Sequence, residues 1–460
     1  MILLRLSVFA VVLFQISSAV GAGTRSYWTV KSLPGLSGPL PFELETGYVG
    51  VGNPEEFQLF YYFIKSYGNP KTDPLILWLT GGPRCSTLSG IAFESGPINF
   101  EGEPKNGSIP QIILNPYSWT KKSSIIYIDL PVGTGFSYAK TSKDHKSGDY
   151  EQVYHSLQFL RKWWVDHPEF ISNPFYVAGD SYAGMIVPVV VKEILEGNYK
   201  HIFPFINFQG YILGNPITTP RSNKNFEIPF AHNMALISDE LFESLKTSCQ
   251  GEYVNIDPNN VECLRYHDMF KKCTSTVLDA CILWPKCSSL KEPDVSEPNM
   301  SGTHRSLYNV PVDRRCRVYD YLLAYYWANN DQVRKALHIH EGSIGEWIRC
   351  RDRHHYNVEL DSVFPYHVNL SSKGYRSLVY SGDHDMIVSH MDTQAWIKSL
   401  NYSIVDDWRP WYIEDEVAGY TRSFANKMTF ATIKGGGHTA EYKRKECSIL
   451  FNRWIVGESL

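Results

Sequence analysis

The chain has 460 residues, 43% of them apolar and 20% charged, and carries a formal net charge of -4. That length suits one large α/β domain with an insertion, or two domains. The slightly acidic balance gives no electrostatic footing for a nucleic-acid partner. An aromatic content of 14% reads first as core and pocket wall.

The N-terminal residues place Arg5 ahead of an apolar core that ends near Phe14, and small residues follow from Ser17 to Ala22. This pattern predicts a secretory signal over 1–22, leaving 23–460 as the mature domain. The apolar core is too short for a comfortable membrane span, and no later segment approaches the roughly 20 apolar residues one needs. No membrane span is therefore expected after signal removal. A secretory destination, extracellular or vacuolar, fits nine cysteines without a C-x-x-C pair, which read as disulfides plus at least one odd thiol. It also fits four N-x-S sequons, at Asn106, Asn299, Asn369 and Asn401, each a candidate glycosylation site.

Past a Pro- and Gly-rich opening, 47–52 and 58–66 read as strands, and the wholly apolar 75–79 reads as a strand covered on both faces. The run 123–129 repeats that pattern, 150–164 has helical spacing, and 175–180 is an apolar, aromatic strand. A helix-capable segment to about 195 and a strand at 208–213 follow. Strands alternating with helices predict a mostly parallel sheet with helices on both faces. From about 222 to 319 the pattern breaks into short polar segments holding six of the nine cysteines. This stretch reads as an insertion lying over the site, with an exposed, cleavable linker at about 288–303. The α/β pattern then resumes with a helix at 332–338 and strands at 377–380 and 428–433.

The strand at 175–180 runs into Gly179-Asp180-Ser181-Tyr182-Ala183-Gly184. A serine on a sharp strand-to-helix turn, with small residues two positions to either side, is the setting of a nucleophile elbow. A hydroxyl needs a base, and the usual base is a histidine oriented by a carboxylate. Asp385 and His438 follow Ser181 in that order, each just past a strand, where such a fold places its reactive groups. Asp383 competes with Asp385 on the residues alone. His354-His355 beside Asp352 reads as a solvated basic loop and not as a metal pair, and 443–445 likewise reads as a solvated face. No metal and no cofactor is expected.

Six ordered motifs now carry a resemblance: Trp78-Leu79-Thr80-Gly81-Gly82-Pro83, Glu94-Ser95-Gly96-Pro97, the 131–138 loop, the 179–184 elbow, the Asp385 loop and the His438 loop. Together they resemble the serine carboxypeptidase family from Leu33 to the C-terminus, and within it the plant serine carboxypeptidase-like acyltransferases. The resemblance implies an α/β-hydrolase fold with a disulfide-containing cap over the active site. It implies a triad of Ser181, Asp385 and His438, which settles the acid on Asp385, and an oxyanion hole made by the N–H groups of Gly82 and Tyr182. It further implies disulfides joining Cys85 to Cys350, Cys249 to Cys263 and Cys287 to Cys316, with Cys273, Cys281 and Cys447 left without an assigned partner.

The resemblance also implies substrate-binding roles for Thr80, Gly81, Glu94 and Asp180. Family peptidases carry asparagine and glutamate where this chain has Thr80 and Asp180, and those side chains grip a peptide's C-terminal carboxylate. A threonine hydroxyl donates one hydrogen bond where an asparagine amide donates two. Acyl transfer from a 1-O-acyl glucose ester to an acceptor alcohol is therefore expected ahead of peptide hydrolysis, with a weakly active or non-catalytic binding protein as the remaining alternative. The expected partners are a small-molecule acyl donor and acceptor, or a peptide. Arg84 stands where the family loop has glycine. The loop has adjusted, Arg84 binds a substrate carboxylate, or the enzyme is weak.

Overall fold

The computed structural model describes residues 27–102, 108–141, 145–287 and 316–460. The expected signal, the 288–303 linker and the sequons at Asn106 and Asn299 lie outside the described residues. Asn369 and Asn401 are exposed.

The main strands are β1 (Tyr27–Val30), β2 (Leu44–Val51), β3 (Phe57–Ile64), β4 (Leu75–Leu79), β5 (Ser124–Ile128), β6 (Phe175–Asp180), β7 (Phe208–Gly214), β8 (Arg376–Gly382), β9 (Ile404–Ile413), β10 (Glu416–Phe424) and β11 (Met428–Ile433). They lie side by side in the order β1-β2-β3-β5-β4-β6-β7-β8-β11-β10-β9, and the short strand Tyr138–Ala139 pairs with β3. From β5 through β4, β6, β7 and β8 to β11 every pairing is parallel. The flanks on both sides are antiparallel.

The central strands read as unbroken apolar runs because each face meets its own core. Leu77, Ile126, Val177 and Leu213 point to one side, where they join residues of α1 (Asp149–Asp166), α2 (Ala183–Tyr199) and α4 (Phe364–Ser372). Their neighbours Trp78, Tyr127, Ala178 and Ile212 point to the other, toward α3 (Arg317–Ala328) and α5 (Arg444–Val456). This is the period-two alternation of a pleated strand with both faces covered. In α1 the buried side chains Val153, Ser156, Phe159, Leu160, Trp163 and Trp164 fall at helical spacing, while Tyr150 and Tyr154 stay exposed.

Residues 220–285 leave the sheet and form short helices with a separate core around Phe230, Leu245 and Phe270. Ser238 and Asn260 cap two of these helices by accepting from Leu241 N and Cys263 N. Cys249–Cys263 then ties the end of the first helix to the start of the second. The segment closes with a hairpin over 277–285. α3 belongs to the main core, since Leu323 and Trp327 are buried in it, so the inserted character ends at about residue 316.

In the second core Trp119 stacks on Phe451 with centroids 4.1 Å apart and planes 4° from parallel. Both rings are buried, and the pair fastens α5 to the 119–121 turn, whose Trp119 in turn meets Trp78 of β4 edge-on. Phe451→Ala is expected to cost about 3–5 kcal/mol, measured as a fall in unfolding free energy by denaturant titration. A loss under 1 kcal/mol would show that the site collapses around the gap.

Candidate active site

The five residues that matter most lie just beyond the carboxyl ends of adjacent parallel strands: Thr80 after β4, Ser181 after β6, Asn215 after β7, Asp385 after β8 and His438 after β11. Ser181 sits on the tight turn between β6 and α2 with φ +55°, a left-handed conformation that non-glycine residues adopt at a cost. Its surroundings explain the small neighbours. A β-carbon on Gly179 would meet Leu79 O at 2.5 Å and Ala183 Cβ at 2.7 Å. The turn is held by Ser181 N donating to Gly214 O (2.9 Å) and Ile217 N donating to Ser181 O (3.0 Å).

Ser181 Oγ lies 2.8 Å from His438 Nε2, and His438 Nδ1 lies 2.8 Å from Asp385 Oδ2. With Nδ1–H donating to Asp385, Nε2 is left to accept the serine proton. Asp385 is fully buried and accepts further bonds from Asn215 Nδ2, Ile387 N and Val388 N. These donors fix the position of its carboxylate. Asp383 instead accepts from Gly435 N and pairs with His384, so the two aspartates of this loop have different partners. Burial opposes charging of His438, but the charge and hydrogen bond of Asp385, with the fields of Asp180 and Glu441, raise its pKa above the ordinary 6.5.

Gly82 has φ +123°, and Tyr182 follows Ser181 directly as the residue before the first turn of α2. Tyr182 is fixed through its hydroxyl, which donates to Asp149 Oδ1 at 2.8 Å. Asp149 is buried and also accepts from Tyr356 OH, Glu359 N and Leu360 N. The Gly82 carbonyl accepts from the guanidinium of Arg353. Asp149, Asn215 and Arg353 were missed in the sequence. Only Asn215, in Gly214-Asn215-Pro216 past a parallel strand, carried a positional signal.

Arg84 keeps the left-handed conformation, with φ +72°. Its guanidinium turns to the Asp352 carbonyl (Nη1 to O, 3.0 Å) and its own carbonyl accepts from Arg351 N. Arginine thus stands in a left-handed turn here, and Cys85–Cys350 locks the loop to the 349–353 segment. His354 and His355 are exposed there, His355 facing Asp352 at 3.6 Å. Of the residues expected to form a solvated face at 443–445, Arg444 departs. It reaches back to the carbonyls of Phe93 and Ala92.

Disulfides join Cys85–Cys350, Cys249–Cys263 and Cys287–Cys316; Cys273 is free and exposed, Cys281 and Cys447 free and buried. Next to Cys287, the 277–285 hairpin touches both reactive loops. Ala280 O accepts from His438 N (2.7 Å), Ile282 N donates to His384 O (3.0 Å) and Asp279 O accepts from Met386 N (2.9 Å). The insertion therefore braces the two loops as well as lying beside them.

Beneath the serine, Gly81 N donates to Asp180 Oδ1 at 3.1 Å. The Thr80 hydroxyl accepts from Trp78 Nε1 (3.2 Å) and donates to Thr87 Oγ1 (3.4 Å). Glu94 is buried, and its Oε2 has no hydrogen-bond partner. Burial raises the pKa of both Glu94 and Asp180, and for Glu94 the nearby charge of Asp180 adds to it.

A mostly parallel sheet with a serine elbow, and an acid and a histidine on later loops, defines an α/β-hydrolase. The profile of the serine carboxypeptidase family matches residues 34–457, and the chain belongs to that family. It is 56% identical to serine carboxypeptidase-like 2 of Arabidopsis thaliana, over 94% of this chain and 93% of the relative. It is 54% identical to serine carboxypeptidase-like 7 of the same plant, over 95% of each. Among solved structures it is similar in fold to Kex1Δp, a prohormone-processing carboxypeptidase from Saccharomyces cerevisiae. The TM-score is 0.72 at 20% identity, covering 94% of this chain and 96% of that one.

Two outcomes are expected. Because the loop already holds its turn, Arg84→Gly relieves about 1–2 kcal/mol of backbone strain and loses one contact to Asp352. Its ester turnover should stay within about threefold of wild type; a tenfold change in either direction would show that Arg84 shapes the site. The second concerns pH. The neutral imidazole is lost as pH falls through its raised pKa, so the acid limb of acylation should lie above 6.5. Asp385→Asn should move that limb down and cut kcat about 10⁴-fold, read from kcat/KM profiles on an activated ester.

Proposed function

We propose that this chain forms an acyl-enzyme at Ser181 and hands the acyl group from a 1-O-acyl glucose ester to an acceptor alcohol. The observation that carries this reading is the state of the donors beneath the serine. The Thr80 hydroxyl spends its one proton on Thr87 and the Gly81 N–H is taken by Asp180. A peptide's C-terminal carboxylate needs such donors; an alcohol can instead give its own proton to a carboxylate or to His438.

In this mechanism His438 Nε2 takes the Ser181 proton as Oγ attacks the ester carbonyl. The oxyanion settles against the N–H groups of Gly82 and Tyr182, where loss of one donor typically costs about 2.7–4 kcal/mol of barrier. The bond to glucose breaks, and His438 returns the proton to the departing sugar oxygen. His438 then deprotonates the acceptor hydroxyl, which attacks the acyl carbon, and Ser181 leaves with its proton restored. The insertion, from its position beside the reactive loops, disfavours water as the competing acceptor.

Peptide hydrolysis is the second reading, and the Glu94–Asp180 pair favours it. When the pair is protonated it can donate to a carboxylate, which would draw peptidase activity to acidic pH. Three disulfides support maturation in the secretory pathway, where thiols are oxidised. No helix of the described residues is long and apolar enough to cross a membrane.

The test is a competition from pH 4 to 8 between a blocked dipeptide and a hydroxycinnamoyl glucose ester with mixed acceptor alcohols, followed by mass spectrometry. A new acyl-acceptor mass, absent with Ser181→Ala, is expected. Release of the C-terminal amino acid with no transferred product would make the enzyme a peptidase.

A further inference from the structure

The two N–H groups read as the oxyanion hole come from separate loops, one after β4 and one after β6. Neither the Gly82 N–H nor the Tyr182 N–H donates to another protein atom among the described residues, and a hole needs donors of that kind. A β-carbon on Gly81 would meet Ser181 Cβ at 2.7 Å and Tyr182 N at 2.9 Å. The elbow therefore lies directly against the loop that carries Gly82. Two free donors on different loops are useful only if something keeps them in register with each other.

One stretch of chain, residues 349–360, is bonded to both loops. On the Gly82 side, Ser86 N donates to Arg349 O (2.7 Å), Arg351 N donates to Arg84 O (3.0 Å), Cys85 is joined to Cys350, and the Arg353 guanidinium donates to the Gly82 carbonyl. On the Tyr182 side, the ring of Tyr356 meets that of Tyr182 edge-on with centroids 5.8 Å apart. Tyr356 OH donates to Asp149 Oδ1 at 2.6 Å, the same oxygen that accepts from Tyr182 OH at 2.8 Å. Gln152 Oε1 is the more distant acceptor, 2.9 Å from Tyr356 OH. Asp149 Oδ2 accepts from Glu359 N (2.7 Å) and Leu360 N (2.9 Å). Asp149, Tyr182 and Tyr356 are all buried. A buried carboxyl with four donors on it is held at one point, and two of those donors are the phenols that meet there.

We propose that Asp149 and Tyr356 are positioning residues of the oxyanion hole: through the Tyr182 hydroxyl they fix the Tyr182 N–H, from the same stretch of chain that fixes Gly82. The inference rests on the acyl-enzyme reading above and adds to it the groups that hold the hole in register. Neither side chain touches the reacting atoms. Their effect falls on the oxyanion alone, because binding of an unreacted carbonyl compound does not call on those two N–H groups to stabilise a charge.

The test compares 1,1,1-trifluoro-4-phenylbutan-2-one with 4-phenylbutan-2-one as inhibitors of p-nitrophenyl acetate hydrolysis. Ser181 Oγ adds to the fluorinated carbonyl, His438 takes the serine proton, and the carbonyl oxygen becomes an oxyanion; the plain ketone binds without reacting. Wild type should prefer the fluorinated ketone. Tyr182→Phe and Tyr356→Phe each remove one phenol from Asp149 and keep the ring. Each should weaken the fluorinated ketone about tenfold, leave the plain ketone within twofold, and lower kcat/KM for the ester by a factor similar to the first. An equal loss for both ketones would make the role one of packing and overturn the assignment, as would a preference that survives both variants. Should one variant not fold, the other decides. A wild type that binds the two ketones alike would instead refute the acyl-enzyme reading, and the positioning role with it.

Discussion

Everything in this structure is arranged around one imidazole with a partner on each side. His438 meets Ser181 and Asp385 at 2.8 Å each, and the three residues come from the ends of three different parallel strands. A deviation of an ångström in any loop would break one of the two bonds, so the sheet has to fix strand positions and the loops have to be held individually. The first need is met by apolar cores on both faces of β4 to β8. The second is met by short polar contacts: Gly214 O on the elbow, Asn215 on the acid, and the backbone of the 277–285 hairpin on the histidine and acid loops. The hairpin matters because glycines 435–437 give the histidine loop little intrinsic order.

Burial sets the electrostatics of the same region. Carboxyls beneath the serine are desolvated, so Glu94 and Asp180 hold their protons to higher pH than free carboxyls do. The guanidiniums of Arg317, Arg349 and Arg444 make that concentration of acid tolerable, and aromatic rings stack on two of them.

The oxyanion loop shows how far the fold tolerates an unfavourable residue. Arginine at 84 occupies a conformation that glycine would adopt freely, and it is kept there by Cys85–Cys350, by the Arg351–Arg84 backbone bond and by the Asp352 carbonyl. Local strain persists because the surroundings over-determine the turn. The guanidinium is turned to protein and not presented as a free hand for a ligand.

Much of this was legible in the chain itself. Unbroken apolar runs marked β4, β5 and β6 as covered on both faces, because a strand buried on two sides has no polar positions to spare. The elbow was legible because crowding around a left-handed serine admits only small neighbours, and the order of Ser181, Asp385 and His438 followed from loops past strands. The hairpin of β9 and β10 was not legible: β9 is largely exposed and β10 mixes buried and half-buried positions without a regular order, so neither apolar runs nor clean alternation announce it. Nor could sequence find Asn215, Asp149, Arg353 or the brace at Ala280, whose roles exist only through partners up to a few hundred residues away. Residue types and local spacing determined the fold class and the reactive groups. Which polar groups face one another and which donors are already committed were decided by tertiary packing, because hydrogen bonds and buried charges depend on distances in space and not along the chain.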